Sequence, residues 1–172
     1  MHEVIGHGSG QPDPGLKAGQ SLAGRTYAAL EECRADMVAL YMMSDPRLVE
    51  IGAFATPIVQ DAVVRDAYVS YMNQELVSLR SDQELVLREA HRRGHHLVTE
   101  FLLRGGVAKK DYGVKRVTVD GKTFHVVNDV KKARQGVADL LGLLQRFKAT
   151  ADDKGATDLF ERFGTHVDEA LR

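Results

Sequence analysis

This chain has one cysteine, a net charge close to zero and no long apolar run. A single cysteine among 172 residues, Cys33, excludes an internal disulfide and suits a reducing compartment, so the sequence predicts a cytoplasmic protein. No apolar run is long enough to cross a bilayer, and no basic segment followed by an apolar stretch opens the chain, so neither a membrane span nor a signal peptide is predicted. The formal net charge of -1 predicts no partner among nucleic acids or anionic membranes.

The composition is that of an ordinary globular protein, with 44% hydrophobic and 27% charged residues. The length fits one domain with a core of its own, and neither repeats nor low-complexity tracts divide it. Met1 is followed at once by a candidate metal-binding helix, without the preceding turns that normally hold such ligands. We therefore expect a single helical domain over 1–172 that is a fragment of a larger protein.

Start and stop signals predict a mainly α fold with one small β-hairpin at about 114–127. Asp120-Gly121 is a strong hairpin signal between two alternating strands. Thr56-Pro57 supplies an N-cap and a first helical residue. The predicted helices cover 1–9 (the remains of a helix), 21–43, 46–55, 57–80, 81–104, 129–150 and 154–163, and the predicted strands cover 114–119 and 122–127.

The segment His2-Glu3-Val4-Ile5-Gly6-His7 has the residue types of a zinc hydrolase site, two imidazoles with a glutamate beside the first. Histidines four residues apart differ by about 40° around an α-helix, whereas these, five apart, differ by about 140°. Both can reach one metal only if the helix contains an extra residue as a π-type bulge. Gly6 relaxes the local backbone and favours that distortion.

Glu31-Glu32-Cys33-Arg34-Ala35-Asp36 lies within a strong predicted helix and offers the carboxylate that commonly completes such a site. Because Glu31 and Glu32 point about 100° apart, only one of them faces the metal. The other glutamate and Asp36 are placed to accept hydrogen bonds from the second nitrogens of the histidines.

Four further histidines and the cysteine have functional or purely structural interpretations. His91 and His95 share one helical face and could bind an oxyanion or a substrate carboxylate, although such a pair is more often simply exposed. Cys33 is spaced with Leu30 and Met37 as a core residue. His125 and His166 are interpreted as structural or solvated.

The motifs HEVIGH and EECRAD resemble the two signature motifs of the dipeptidyl peptidase III family, zinc peptidases that release dipeptides from peptide N-termini. Gly8-Ser9-Gly10 and Glu89-Ala90-His91 also resemble the family, and the hairpin sequence from Val119 to Asp129 resembles its bacterial members.

The resemblance implies a role for each site residue. His2, His7 and Glu32 would bind Zn²⁺, and Glu3 would be the general base. Glu31 and Asp36 would support the histidines. His91 would stabilise the transition state, and His95 would contact the substrate. The resemblance also implies that the larger protein is a two-lobed peptidase several times longer than this chain. This chain would then be the C-terminal part of its catalytic upper lobe. A peptide is the implied partner, and little or no turnover is expected of the chain alone.

Two other readings stay open from the residues. One is a non-catalytic helical fragment with a residual metal site, which forms a homo-oligomer through exposed cleft surface. The other is a non-haem iron enzyme, because two histidines and one carboxylate also suit iron. Glu3, placed as a base, favours hydrolysis over the iron chemistry.

Overall fold

The computed structural model describes residues 1–16, 26–81, 88–167 and 171. The mainly α fold with one small hairpin is confirmed. Within the described part of the chain, no helix combines the length and the apolarity needed to span a bilayer. In chain order the elements are a π-helix at His2–His7, α1 at Tyr27–Met42, α2 at Arg47–Glu50, α3 at Pro57–Ser81, α4 at Ala90–Leu103, β1 at Val114–Val119, β2 at Lys122–Val127, α5 at Val130–Thr150 and α6 at Asp153–Phe163.

Side-chain caps fix the starts of several helices. The Thr56 hydroxyl accepts a hydrogen bond from the Val59 N–H at 3.2 Å, as the N-cap prediction required. Asp129 caps α5 by accepting from the Lys132 N–H at 3.1 Å. Each cap satisfies an N–H that has no partner within the first helical turn.

The helix predicted over 81–104 is wrong as one continuous element. Glu89 has extended backbone angles, and its carboxylate accepts from the N–H groups of His91 and Arg92 at 3.1 and 3.0 Å, so α4 begins at Ala90. The predicted start signal at 81–84 lies outside the described residues, except for Ser81. Positions 21–25 of the helix predicted over 21–43 also lie outside them. The short helix predicted over 46–55 is confined to Arg47–Glu50.

The core is built around α1, which packs against the π-helix, α4 and α5. Its side chains are buried on several sides because a neighbouring helix covers each of them. Burial of one large aliphatic side chain stabilises the fold by roughly 1.5–3 kcal/mol. The fully or almost fully buried apolar residues at this junction include Leu30, Cys33 and Met37 of α1, Leu97 and Phe101 of α4, and Leu140 and Leu144 of α5.

The two strands pair antiparallel, with Val114 opposite Val127 and Val119 opposite Lys122. Asp120 and Gly121 both have positive φ, which a two-residue hairpin turn of the primed type requires. Side chains of α3 bind the backbone of β2: Asn73 donates to the His125 carbonyl at 2.9 Å and accepts from the His125 N–H at 2.9 Å. These bonds fix the hairpin to α3.

Candidate metal centre

The five-residue spacing of the two N-terminal histidines is accommodated by a π-helix. The Gly6 N–H donates to the Met1 carbonyl at 2.9 Å, the hydrogen bond to the fifth preceding residue that defines this helix type. As a result, His2 and His7 lie on one face, with their Nε2 atoms 3.2 Å apart. The distortion predicted from the spacing is present.

Gly6 has a second role that its backbone freedom does not explain. It is buried against α1, and a Cβ at this position would lie 2.9 Å from the Cα, Cβ and carbonyl oxygen of Ala35. Such distances are shorter than van der Waals contact, and two of the three atoms are backbone. The absence of a side chain therefore allows the π-helix to approach α1 closely enough to bring His2 and His7 next to Glu32.

Glu32 of α1 completes a triangle of donor atoms. Its Oε2 lies 3.2 Å from His2 Nε2 and 3.4 Å from His7 Nε2. Donors about 2.0–2.1 Å from a zinc ion in tetrahedral geometry are separated by roughly 3.3–3.4 Å. Glu32 Oε2 is also buried and accepts no hydrogen bond from any described residue. The three donor atoms, one of which is this unsatisfied oxygen, fit a zinc ion with a fourth position open.

Glu3 lies beside this triangle rather than within it. Its Oε1 is 3.9 Å from His2 Nε2, and its side chain is 85% exposed. The ligand atoms of His2, Glu3 and His7 all lie within 4.8 Å of one another. An exposed carboxylate at this distance can accept a proton from a water that approaches the triangle.

The second nitrogen of His2 is held by Asp36. His2 Nδ1–H donates to Asp36 Oδ1 at 2.7 Å, which leaves Nε2 as the unprotonated donor atom. The other oxygen, Oδ2, accepts from the Tyr71 hydroxyl at 2.9 Å and lies 3.5 Å from His95 Nε2. Burial would raise the pKa of Asp36, but the hydrogen bonds from His95, Tyr71 and His2 outweigh it, and the pKa is lowered.

Glu31 supports the site in a different way from the one the resemblance implies. Its Oε1 lies 3.7 Å from His7 Nδ1, beyond hydrogen-bond distance. Glu31 instead accepts from Arg34 and, at 2.9 Å, from Lys148. Burial would raise the pKa of Glu31, and these two cations lower it.

The Arg34 side chain is fully buried and links α1 to the end of the π-helix. It donates to the Ser9 hydroxyl at 2.9 Å and to the His7 carbonyl at 3.3 Å. The Ser9 hydroxyl in turn donates to the Gly6 carbonyl at 2.9 Å. These side-chain bonds reach the His7 and Gly6 carbonyls at the end of the π-helix, and the Ser9 N–H also donates to the Gly6 carbonyl, at 3.3 Å.

Two of the three histidines of α4, His91 and His95, lie at the metal centre. His91 Nδ1 is 3.4 Å from Glu32 Oε2, and the His91 side chain is 56% exposed. His95 is mostly buried and lies against Tyr71, with ring centroids 4.0 Å apart. The two histidines line a surface cavity of ≈ 360 Å³ together with Gln74, Ser78, Glu89 and Arg92.

Sequence reasoning missed several supporting residues. Arg34 lies inside the second motif, and a cation among predicted buried positions could have indicated a supporting ion pair there. Tyr71 and Lys148 are far from both motifs in sequence, and only the tertiary structure brings them to Asp36 and Glu31. Cys33 is buried in the core as predicted.

Known peptidases are similar to this chain over almost its whole length. The family model "Peptidase family M49" matches residues 15–172, a range that begins after the π-helix and includes the second motif. Among curated relatives, dipeptidyl peptidase 3 of Dictyostelium discoideum is 24% identical over 98% of this chain and 29% of its own length. The human protein of the same name is 26% identical over 98% of this chain and 27% of its own length. The mouse protein is 25% identical over 98% and 27%, respectively.

The chain thus spans less than a third of the length of the curated relatives it matches. Within that third, the match extends through α1 and the helices and hairpin that follow it. The resemblance predicted from HEVIGH and EECRAD is confirmed, and this chain belongs to peptidase family M49.

Proposed function

We propose that this chain supplies the zinc-binding and general-base part of a dipeptidyl peptidase III-type enzyme, which releases dipeptides from peptide N-termini in the cytoplasm. The observation that supports it best is the donor triangle of His2, His7 and Glu32, whose sides measure 3.2, 3.2 and 3.4 Å. The buried, unbonded Oε2 of Glu32 is the kind of atom that a cation satisfies. Cytoplasmic location fits a lone buried thiol, which needs no oxidising compartment.

A zinc ion bound by this triangle would polarise the scissile carbonyl and lower the pKa of a bound water toward neutrality. The Glu3 carboxylate accepts the proton of the attacking water and delivers it to the leaving amine. Its exposure leaves it free to move between these two positions. Asp36 holds His2 in the tautomer that the triangle requires.

His91 is proposed to stabilise the developing oxyanion. Its imidazole lies next to Glu32 and faces the surface cavity, where the carbonyl of an extended peptide would enter. One such donor is typically worth about 3 kcal/mol of barrier reduction. His95, deeper in the same cavity, is proposed as a substrate contact.

A non-catalytic fragment that self-associates is the second candidate, and exposed apolar side chains beside the site favour it. Val4 and Ile5 of the π-helix are 80% and 42% exposed. In a complete peptidase these side chains would contact a substrate or another part of the enzyme, whereas in an isolated module they would contact a second copy. Molecular mass in solution, with and without zinc, separates the two.

Metal analysis tests the proposed centre and the assigned roles together. We expect the purified chain, after incubation with excess zinc and dialysis, to hold about one equivalent of zinc. The position of Glu3 as a base favours hydrolysis over the chemistry of a non-haem iron enzyme. Glu32→Ala should lose zinc, and Glu3→Gln should retain it. Glu161→Ala, which removes an exposed carboxylate of α6, is the matched control.

Two results would contradict the proposal. An absence of zinc in the wild-type chain would refute the centre, and equal loss from Glu3→Gln and Glu32→Ala would refute the separation of base from ligand. In the full-length enzyme, Glu3→Gln should nearly abolish turnover while zinc stays bound.

A further inference from the structure

Asp36 is held from two sides, and only one of them belongs to the sequence motifs. Its Oδ1 accepts from His2, and its Oδ2 accepts from the hydroxyl of Tyr71 at 2.9 Å, which is closer to that oxygen than His95 Nε2, at 3.5 Å. Tyr71 lies on α3, 35 residues beyond Asp36, so the contact depends on the packing of α3 against α1.

A carboxylate bound through one oxygen can still rotate about its terminal torsion, because that torsion has a broad energy profile. Bonds to both oxygens fix the carboxylate plane. Tyr71 suits this task because burial, and then the neighbouring Asp36 charge, raise the pKa of its phenol well above the ordinary value, so it stays a donor. Its ring is in turn packed against His95.

We propose that Tyr71 is a positioning residue of the metal centre: its hydroxyl fixes the Asp36 carboxylate, and Asp36 then holds the His2 imidazole with Nε2 directed into the donor triangle. The inference rests on the proposed zinc centre for its effect on metal affinity. Its structural part, the orientation of His2 by Tyr71 through Asp36, also applies to the metal-free protein.

Tyr68 provides a matched control on the same helix. It is 3% exposed, and its hydroxyl donates to the backbone carbonyl of Leu40 at 3.2 Å. Tyr68→Phe and Tyr71→Phe remove the same atom from the same interface between α3 and α1. Only Tyr71 leads to a metal ligand, so a general loss of packing or stability would affect both variants alike.

Zinc affinity, measured by competition with a chromophoric chelator, is the first readout. We expect Tyr71→Phe to weaken zinc binding by about 10-fold, as removal of partners outside the ligand set typically does, and Tyr68→Phe to retain the wild-type affinity. In the Asp36→Ala background, adding Tyr71→Phe should cause no further loss, because the path through Asp36 is already broken. Equal effects of the two tyrosine variants, or additivity with Asp36→Ala, would overturn the inference.

The tautomer of His2 in the metal-free chain is the second readout, by long-range ¹H–¹⁵N correlation at about pH 8, above the ordinary histidine pKa of about 6.5. We expect an Nδ1–H signal for His2 in wild type and in Tyr68→Phe, and its loss or averaging in Tyr71→Phe. If the wild-type chain failed to bind zinc, the proposed function would fail, and this spectrum would still decide the inference. An unchanged His2 signal in Tyr71→Phe would overturn it.

Discussion

Three buried ionisable side chains, Glu75, His96 and His125, lie together where α3, α4 and the hairpin meet. Glu75 Oε1 is 2.5 Å from His96 Nδ1. Burial, as the main cause, raises the pKa of Glu75. Burial alone would lower the pKa of His96, but the hydrogen bond and charge of Glu75 outweigh it, and the pKa of His96 is raised. His125 differs, because burial lowers its pKa to about 4. Its neutral ring is fully bonded: Nδ1–H donates to the Met72 carbonyl at 3.0 Å, and Nε2 accepts from Arg116 at 3.3 Å.

His125 should make the chain sensitive to mild acid. Its pKa in the folded chain, about 4, lies below the ordinary 6.5, so the unfolded chain binds more protons between these values. Its contribution is therefore fully present above pH 6.5 and is lost as pH falls toward 4, by up to about 3 kcal/mol. Urea unfolding across this range should show a shallower pH dependence for His125→Gln than for wild type.

Comparison of variants isolates His125 from its neighbours. The raised pKa of His96 acts in the opposite direction, since stability from that group is lost as pH rises through its folded pKa. The Glu75 and Arg116 side chains are common to wild type and variant. His166→Gln, at an exposed imidazole, should keep the wild-type slope. A wild-type slope in His125→Gln as well would contradict the prediction.

Among the elements, local chemistry predicted what local interactions determine. The Asp120-Gly121 turn predicted the strand pairing, and Thr56-Pro57 predicted the start of α3, because turns and caps are formed by neighbouring residues. The five-residue histidine spacing predicted the π-helix. The break at Glu89 was missed because a glutamate between helix formers gives no stop signal, and its capping role requires the extended backbone seen here. The link from Tyr71 to Asp36 depends on tertiary packing and had no sequence signal.

Replacing Gly6 of the π-helix and Gly142 of α5 with alanine should change the free energy of unfolding in opposite directions. Gly6→Ala places a methyl group 2.9 Å from Ala35 backbone atoms, so the π-helix must shift away from α1. We expect a loss of about 1–3 kcal/mol in unfolding free energy, together with weaker zinc binding. Gly142, within α5, has open space at its Cβ position, and Gly142→Ala should gain roughly 0.5–1 kcal/mol at unchanged zinc affinity.

Urea unfolding and chelator competition measure these two quantities separately. Stabilisation by Gly6→Ala would show that π-helix and α1 are not in close contact. Zinc loss in Gly142→Ala would show that the metal readout follows general stability rather than the position of the π-helix.

For the chain as a whole, the metal centre is open on one side among the described residues. Glu3 is 85% exposed, and His91 is 56% exposed. Hydrolysis requires a substrate carbonyl held against the attacking water, and such positioning can supply roughly 7–11 kcal/mol of barrier reduction. A surface open in this way neither holds an extended peptide nor excludes bulk water.

We therefore expect the zinc-loaded chain to show at most trace hydrolysis of a fluorogenic dipeptide substrate. Glu3→Gln is the matched control for contaminating peptidases. Release at a rate close to that of a full-length relative, absent in Glu3→Gln, would show that these 172 residues suffice for catalysis.

Because Cys33 is buried, its reactivity can report how often the packing around the proposed metal centre opens. Cys33 is the sole thiol, is fully buried on α1 next to Glu32, and has its Cβ 3.3 Å from the position that a Cβ on Gly94 of α4 would occupy. A labelling reagent can reach it only when the packing around α1 opens, and burial raises the pKa of the thiol well above its usual value. The labelling rate therefore measures opening around the helix that carries Glu32, the proposed third ligand. The zinc ion proposed for this site needs His2, His7 and Glu32 together, so its binding should slow that labelling, and a thiol outside the donor triangle would then register occupancy of the site.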